Sequence, residues 1–363
     1  MIVFFCKFAS LKIIIMRVLL YPLSLIYSVV LYIRHRLFDI NLLRSKSFNI
    51  PIICIGNLSF GGTGKTPHTE YLIRLLSEHV KVAVLSRGYG RSTKGFVLAH
   101  EGVTYEEIGD EPLQYHTKFP DIIVAVDEDR VEGVRKLMDM EVKPEVILLD
   151  DAYQHRWIKP GYNILLTDYH SIYSKDHLTP VGNLRDIKSE ARRANVIIVT
   201  KCPVVIDPYT KRSIIDSLKP KPYQKVLFSQ ISFDGFKPLN ESAESKDLTQ
   251  CRSIFMFCGI ANPYPLEDYL RRKTNTLSTT IFNDHHNFTK ENIDTIVEGY
   301  NNVIGKNKIA VTTEKDAMRL TNYSDHLESI PLFSIPIKVR FHEDDREIFN
   351  KEIFDYVGVR KNS

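Results

Sequence analysis

The sequence predicts an α/β protein: a doubly wound, mostly parallel sheet, preceded by an N-terminal hydrophobic helix and followed by a second, smaller α/β domain. Three observations lead there. Short Val/Ile/Leu runs recur with helical stretches between them, as buried parallel strands require. One such run leads directly into a glycine-rich turn and a helix. A sixteen-residue segment near the N-terminus, residues 18–33, carries no charge.

That segment is bounded by Arg17 on one side and by Arg34 and Arg36 on the other. Sixteen residues make about 24 Å of helix, short of the roughly 30 Å hydrocarbon core of a bilayer. The helix is therefore expected to lie in one leaflet more easily than to cross both. Arg34, Arg36, Arg44 and Lys46 suit an anionic cytoplasmic leaflet. No small-residue cleavage site follows Ile33, which argues against a cleaved signal peptide. A buried core helix is the alternative, because Tyr21, Pro22 and Tyr27 soften the apolar signal. Met16 immediately precedes Arg17 and is a second possible start.

The apolar run 51–56 opens the sheet and feeds Ser59-Phe-Gly-Gly-Thr-Gly-Lys-Thr-Pro67, followed by the helix-like run 68–76. This is the order of a phosphate-binding loop, in which glycines let backbone N–H groups close around phosphates, a lysine reaches the β/γ-phosphates and a threonine hydroxyl holds Mg²⁺. Lys65 and Thr66 take the last two roles, and the helix N-terminus adds its positive dipole end. Ser59 replaces the first glycine of the usual pattern, while the strand, turn and helix context is intact. The expected cofactors are thus a nucleotide and Mg²⁺.

Further apolar runs at 80–85, 121–126, 145–149, 162–167 and 195–200 bring the sheet to about six strands. Polar clusters at their carboxyl ends, 86–91, 127–130, 150–155 and 167–170, stand where doubly wound sheets bind ligands. The run Val146-Ile-Leu-Leu-Asp150-Asp151 ends in adjacent carboxylates, one of which is expected to meet Mg²⁺ opposite Thr66. Phosphoryl transfer also needs cations, and Arg87, Arg91, Arg130 and Arg185 lie near strand ends. Asp110, in Ile-Gly-Asp-Glu-Pro112, and the histidines of Asn283-Asp-His-His-Asn287 are the candidates for a base.

From residue 203 to about 253 the chain changes character: Pro208, Pro220, Pro222 and Pro238 punctuate it, and 240–250 is polar. A second α/β pattern then runs through strands at 254–259, 279–282, 308–312 and 332–336, with helices at 265–272 and 290–305. The expected division is 1–40 for the N-terminal helix, 41–215 for the phosphate-loop domain, 216–253 for a linker region and 254–363 for the smaller domain.

Composition limits the class. A chain of 363 residues with 44% hydrophobic content fills two cores. Its five cysteines are odd in number and form no C-x-x-C pair, which argues against a disulfide framework and against a zinc site. The net charge is +4, and residues 1–69 hold eight Lys/Arg against one acid, Asp39.

Several motifs together resemble one family, the tetraacyldisaccharide 4′-kinases of lipid A biosynthesis. They are Gly56-Asn-Leu-Ser-Phe-Gly-Gly-Thr-Gly-Lys-Thr-Pro67, Leu85-Ser-Arg-Gly-Tyr-Gly-Arg91, Ile108-Gly-Asp-Glu-Pro112, Asp129-Arg-Val-Glu-Gly133 and Leu149-Asp-Asp-Ala-Tyr-Gln-His155. Pro180-Val-Gly-Asn-Leu-Arg185, Phe257-Cys-Gly-Ile-Ala-Asn-Pro263, Phe282-Asn-Asp-His-His286 and Thr313-Glu-Lys-Asp-Ala317 complete the set, which runs to about Leu320. The resemblance implies a P-loop NTPase-like kinase that uses ATP and Mg²⁺ to phosphorylate the 4′-hydroxyl of a tetraacyl glucosamine disaccharide 1-phosphate, forming lipid IVA. It implies a glycolipid substrate and a membrane surface as partners, at the cytoplasmic face of a bacterial inner membrane. Nucleic acid and an obligate protein partner are not expected.

Carried over by position, Ser59, Gly61, Gly62, Thr63, Gly64, Lys65 and Thr66 bind the nucleotide, and Gln154 and Arg185 line the same site. Thr66, Asp150 and Asp151 stand near the metal. Asp110 is the implied base, assisted by His285, with His286 as the alternative. Closure of the two domains over ATP would assemble such a site. Two departures are visible: Ala152-Tyr153 where Gly-Phe is common, and Asp186-Ile187 where Glu-Pro is common, the second of which weakens any role for Asp186.

The alternative is a membrane-attached P-loop GTPase or regulatory ATPase acting on a protein partner. A guanine-reading element would need an aspartate that Val199-Thr-Lys-Cys-Pro203 lacks, and Thr313-Glu-Lys-Asp316 is spaced differently. A non-enzymatic membrane module leaves the phosphate loop and the aspartate pair unexplained.

Overall fold

The structure, a computed structural model, describes residues 2–359 apart from 285 and 306, with side chains from Leu19 onward except that of Asn322. Its strands are β1 (Ile52–Asn57), β2 (Val82–Ser86), β3 (Val97–Leu98), β4 (Ile123–Val126), β5 (Val146–Asp150), β6 (Tyr162–Asp168), β7 (Val196–Thr200) and β8 (Lys225–Phe233). They continue as β9 (Lys237–Pro238), β10 (Ser253–Cys258), β11 (Thr276–Ile281), β12 (Lys308–Thr313), β13 (Leu332–Ile335) and β14 (Ile337–Phe341). The helices are α1 (Ile2–Asp39), α2 (Lys65–Leu76), α3 (Tyr105–Ile108), α4 (Asp110–Lys118), α5 (Arg130–Met138) and α6 (Pro208–Leu218). After them come α7 (Glu241–Glu244), α8 (Tyr264–Arg271), α9 (Lys290–Asn302), α10 (Glu314–Arg319), α11 (Ser324–Leu327) and α12 (Asp345–Val357).

The chain forms two compact units: residues 1–87, 121–230 and 339–363 make unit 1, and residues 88–120 and 231–338 make unit 2. In unit 1 the strands run in the order β14-β8-β7-β6-β1-β5-β2-β4. The pairings β4–β2, β2–β5, β5–β1, β1–β6, β6–β7 and β7–β8 are all parallel. Every residue of β1, β2, β5 and β7 is buried, which is why these strands read as continuous apolar runs. The chain leaves β1 to build β2 and β4 on one side, returns as β5, and then crosses to β6 on the other side. The carboxyl end of β1 therefore lies at the topological switch point, where doubly wound sheets bind ligands.

Unit 2 has its own sheet, ordered β11-β10-β12-β13-β9, with parallel pairs and one antiparallel edge strand, β9. Alternation along β10 sends Phe255 and Phe257 into one cluster with Ile293, Ile296 and Tyr300 of α9. Ile254, Met256 and Cys258 enter the other with Leu266 and Leu270 of α8. Both faces are thus covered, and each buried Phe or Ile contributes about 1.5–3 kcal/mol.

Two segments fall otherwise than a linear division expects. Residues 88–120 belong to unit 2, where α4 packs on α10. Residues 339–363 return to unit 1, where the Tyr356 hydroxyl accepts from the Ile52 amide at 3.0 Å and donates to its carbonyl at 3.1 Å. The stretch after residue 203 also contributes α6 and β8 to unit 1 before the chain passes on.

The N-terminal helix is longer than the uncharged segment, 38 residues with Pro22 inside it. Ser24, Leu31, His35 and Phe38 are buried, whereas Leu19, Leu23, Ile26, Val30 and Ile33 are exposed. The helix thus shows an apolar face to its outside and a mixed face to unit 1. No helix among the described residues is long and apolar enough to cross a membrane.

Candidate active site

The phosphate loop leaves β1 and turns into α2 through Gly64, which adopts the left-handed conformation at φ 87°. A side chain there would be strained. A Cβ on Gly61 or Gly62 would meet nothing within 4 Å, so both glycines border open space. Asn57, the last residue of β1, fixes the turn: its Nδ2 donates to Thr63 Oγ1 at 2.9 Å. The Thr63 carbonyl accepts from Thr200 Oγ1 of β7 at 2.8 Å. The next turn of α2 is held by His68, whose Nδ1 lies 2.7 Å from the Gly64 carbonyl and whose Nε2 lies 3.0 Å from Ser229 Oγ on β8. A carbonyl only accepts, so Nδ1 carries the proton and Nε2 accepts from the serine. Burial pushes the His68 imidazole down to about 4, which keeps it in this neutral form.

Asp150 and Asp151 follow at the end of β5, next to β1. Asp150 is buried and accepts from Thr69 Oγ1 of α2 at 3.3 Å. Asp151 takes φ 47°, a left-handed turn that aims the two carboxylates differently. Lys65 Nζ stands 3.6 Å from Asp151, and Arg185 clamps the same carboxylate with both terminal nitrogens. Burial alone would raise the Asp151 carboxyl; Lys65 and then Arg185 outweigh it and hold it below the ordinary carboxylate range. Arg185 also donates to Asn57 Oδ1 at 2.5 Å, and Gln154 Nε2 donates to the Asn57 carbonyl at 2.7 Å. The residues expected from the loop, the aspartate pair, Gln154 and Arg185 are therefore gathered around one strand end.

Sequence reading gave Asn57, His68 and Thr69 no role, although all three lie within or directly beside the loop motif. It placed Asp127 and His155 in polar clusters at strand ends without giving either a role. Arg130 is buried and donates to the Asp127 carbonyl at 2.6 Å. Burial lowers its guanidinium to about 10, against the pull of Asp150 and Asp151. Burial and then Arg130 press His155 down to about 4, so this imidazole is neutral too.

Asp110 is in unit 2, as the first residue of α4. It is buried and paired with Arg319 of α10, with Lys315 Nζ 3.6 Å from the same oxygen. Arg319 further meets Asp316, which accepts from the Gly259 amide at 3.0 Å and from Thr313 Oγ1 at 2.7 Å. A Cβ on Gly259 would lie 3.0 Å from His286 Cβ. The motifs around Asp110, Gly259, His286 and Thr313 thus form one cluster in unit 2. Arg319 and Lys315 were not legible as partners of Asp110, being more than 200 residues away. His286 stacks on Phe282 at 4.8 Å and its Nε2 is 2.8 Å from Asn292 Oδ1. His285 lies outside the described residues.

A glycine-rich loop at a helix N-terminus, a lysine, and two carboxylates at the next strand end define a phosphate-loop nucleotide-binding protein of the doubly wound α/β class. The family described as LpxK, tetraacyldisaccharide-1-P 4′-kinase, matches residues 16–354. The tetraacyldisaccharide 4′-kinase of Bacteroides thetaiotaomicron is 45% identical over 95% of this chain and 93% of its own length. That of Flavobacterium johnsoniae is 43% identical over 94% of this chain and 97% of its own. Among solved structures, "apo" form LpxK from Aquifex aeolicus in complex with ATP aligns with a TM-score of 0.72 and 28% identity, over 94% of this chain and 99% of that one. The chain belongs to the tetraacyldisaccharide 4′-kinase family.

Proposed function

We propose that this chain transfers the γ-phosphate of ATP to the 4′-hydroxyl of a tetraacyldisaccharide 1-phosphate, giving lipid IVA. The observation that carries the reading is the Lys65–Asp151–Arg185 constellation at the mouth of the phosphate loop, in a chain that the family spans from residue 16 to 354. The regulatory ATPase weighed from the sequence leaves that family membership unexplained.

Backbone amides of Ser59, Gly61, Gly62 and Gly64 and the N-terminus of α2 receive the phosphates, and Lys65 leaves Asp151 to meet the β/γ-oxygens. Thr66, Asp150 and Asp151 supply the hydroxyl and carboxylate oxygens that a hard cation prefers, too few for a closed cage and suited to Mg²⁺, which keeps waters and phosphate ligands. Bound there, Mg²⁺ would neutralise charge on the transferring phosphoryl group. Gln154 and Arg185 hold Asn57 and with it the loop. Asp110 is the proposed base for the sugar hydroxyl, with His285 assisting. Arg319 and Lys315 hold the Asp110 carboxylate in place through direct ion pairs.

The exposed apolar face of α1, flanked by Arg36, is the proposed membrane contact, at the cytoplasmic face of the inner membrane. The test is product analysis: Mg-ATP and tetraacyldisaccharide 1-phosphate in detergent micelles, with the site of the new phosphate read by NMR. A 4′-phosphate supports the proposal. ADP release with no phosphorylated lipid refutes it and returns the regulatory ATPase.

A further inference from the structure

Helix α1 touches the site as well as the solvent. Its mixed face repeats at Ser24, Tyr27, Leu31, Arg34, His35 and Phe38, the spacing of one side of a helix. Three of these side chains end on the two loops that carry Gln154 and Arg185. The Tyr27 hydroxyl donates to the Arg185 carbonyl at 3.0 Å. Arg34 donates to the Gln154 carbonyl, also at 3.0 Å. His35 Nε2 meets Asp186 Oδ1 at 2.7 Å, on the residue next to Arg185, and both groups are buried.

From those loops the path to the phosphate site is short. Gln154 holds the Asn57 carbonyl, Arg185 holds the Asn57 side chain and Asp151, and Asn57 holds Thr63. The His35–Asp186 contact, buried at both ends, fixes the residue next to Arg185 in place.

We propose that α1 is a positioning element of the phosphate site, with Tyr27, Arg34 and His35 fixing the backbone from which Gln154 and Arg185 reach Asn57 and Asp151. The three are positioning residues, since they act through others. This inference rests on the kinase reading for its reaction, while its main readout, nucleotide affinity, needs no lipid.

The experiment uses the full chain with Tyr27→Phe, Arg34→Met, the double variant and Arg34→Lys. Mg-ATP affinity is measured by fluorescent-nucleotide competition, kcat and KM for lipid by phosphate transfer, and folding by thermal midpoint. Loss of both donors weakens Mg-ATP about tenfold and lowers kcat more than it changes lipid KM, with an unchanged midpoint. Arg34→Lys, which keeps a donor, retains affinity better than Arg34→Met. Folded variants whose ATP affinity stays within about twofold of native overturn the proposal. So does a rise in lipid KM with ATP affinity unchanged, which makes α1 a lipid dock only. If the double variant does not fold, Tyr27→Phe, which keeps its ring, decides alone. A native protein that binds Mg-ATP but phosphorylates no lipid sinks the kinase reading and leaves the affinity arm intact.

Discussion

Lys65 rests 3.6 Å from Asp151, at the N-terminus of α2, and in the proposed mechanism exchanges that carboxylate for phosphate. Lys65→Ala is expected to reduce phosphate transfer on the order of a hundredfold or more, since it removes a preorganised cation. Its thermal midpoint should hardly move, because the pair is partly exposed. Arg319 predicts the opposite balance. Arg319→Gln leaves Asp110 and Asp316 buried without their guanidinium, so stability falls by about 3–5 kcal/mol. Denaturant unfolding of the variant beside native protein checks this. The buried neutral imidazoles His68 and His155 give a third expectation. Both are depressed to about 4 from an ordinary value of 6.5, so their contribution is complete above pH 6.5 and is lost as pH falls toward 4. Thermal midpoints across that range, native against His68→Asn, check it: the variant should lose less on acidification.

At the scale of elements, the six strands visible as apolar runs were legible because burial on both faces keeps their residues mostly apolar. Strand β8 was hidden: its pattern at Lys225–Phe233 mixes buried and half-buried positions behind Pro220 and Pro222. The return of β14 and α12 to unit 1 was not legible either, since Tyr356 finds Ile52 across some 300 residues and no local signal encodes that pairing. The loop motif and the aspartate pair were readable in the sequence, but the Asn57 clasp was not, because Asn57 reads as the last residue of an apolar strand. Gly56→Ala probes how tightly β1 meets the turn after β5. The added Cβ would lie 2.6 Å from Tyr153 Cβ, and such overpacking costs about 1–3 kcal/mol, measurable by denaturant unfolding. For α1, Ile26→Asp with Val30→Asp should cut binding to phosphatidylglycerol vesicles at least about tenfold, as each large aliphatic side chain is worth about 1.5–3 kcal/mol when buried. Undiminished flotation with vesicles would remove the apolar face from the membrane contact.

At the scale of the whole molecule, the residues given roles in the proposed mechanism fall in two units. Unit 1 holds the phosphate loop and the carboxylates beside it; unit 2 holds Asp110 and its cations. The interleaving of the chain, with 88–120 in one unit and 339–363 in the other, means that neither unit is a continuous stretch of sequence. On the proposed mechanism, nucleotide binding and proton acceptance separate with the units. Loss of Lys65 should impair both nucleotide binding and transfer, whereas loss of the Asp110 carboxylate should spare nucleotide binding and remove transfer. The most direct test is therefore transfer of labelled γ-phosphate from Mg-ATP to a tetraacyldisaccharide 1-phosphate in detergent micelles, with native protein beside Lys65→Ala and Asp110→Ala. Labelled lipid from the native chain and little from either variant is the predicted result. Nucleotide hydrolysis without labelled lipid, or full transfer by Asp110→Ala, would contradict the account.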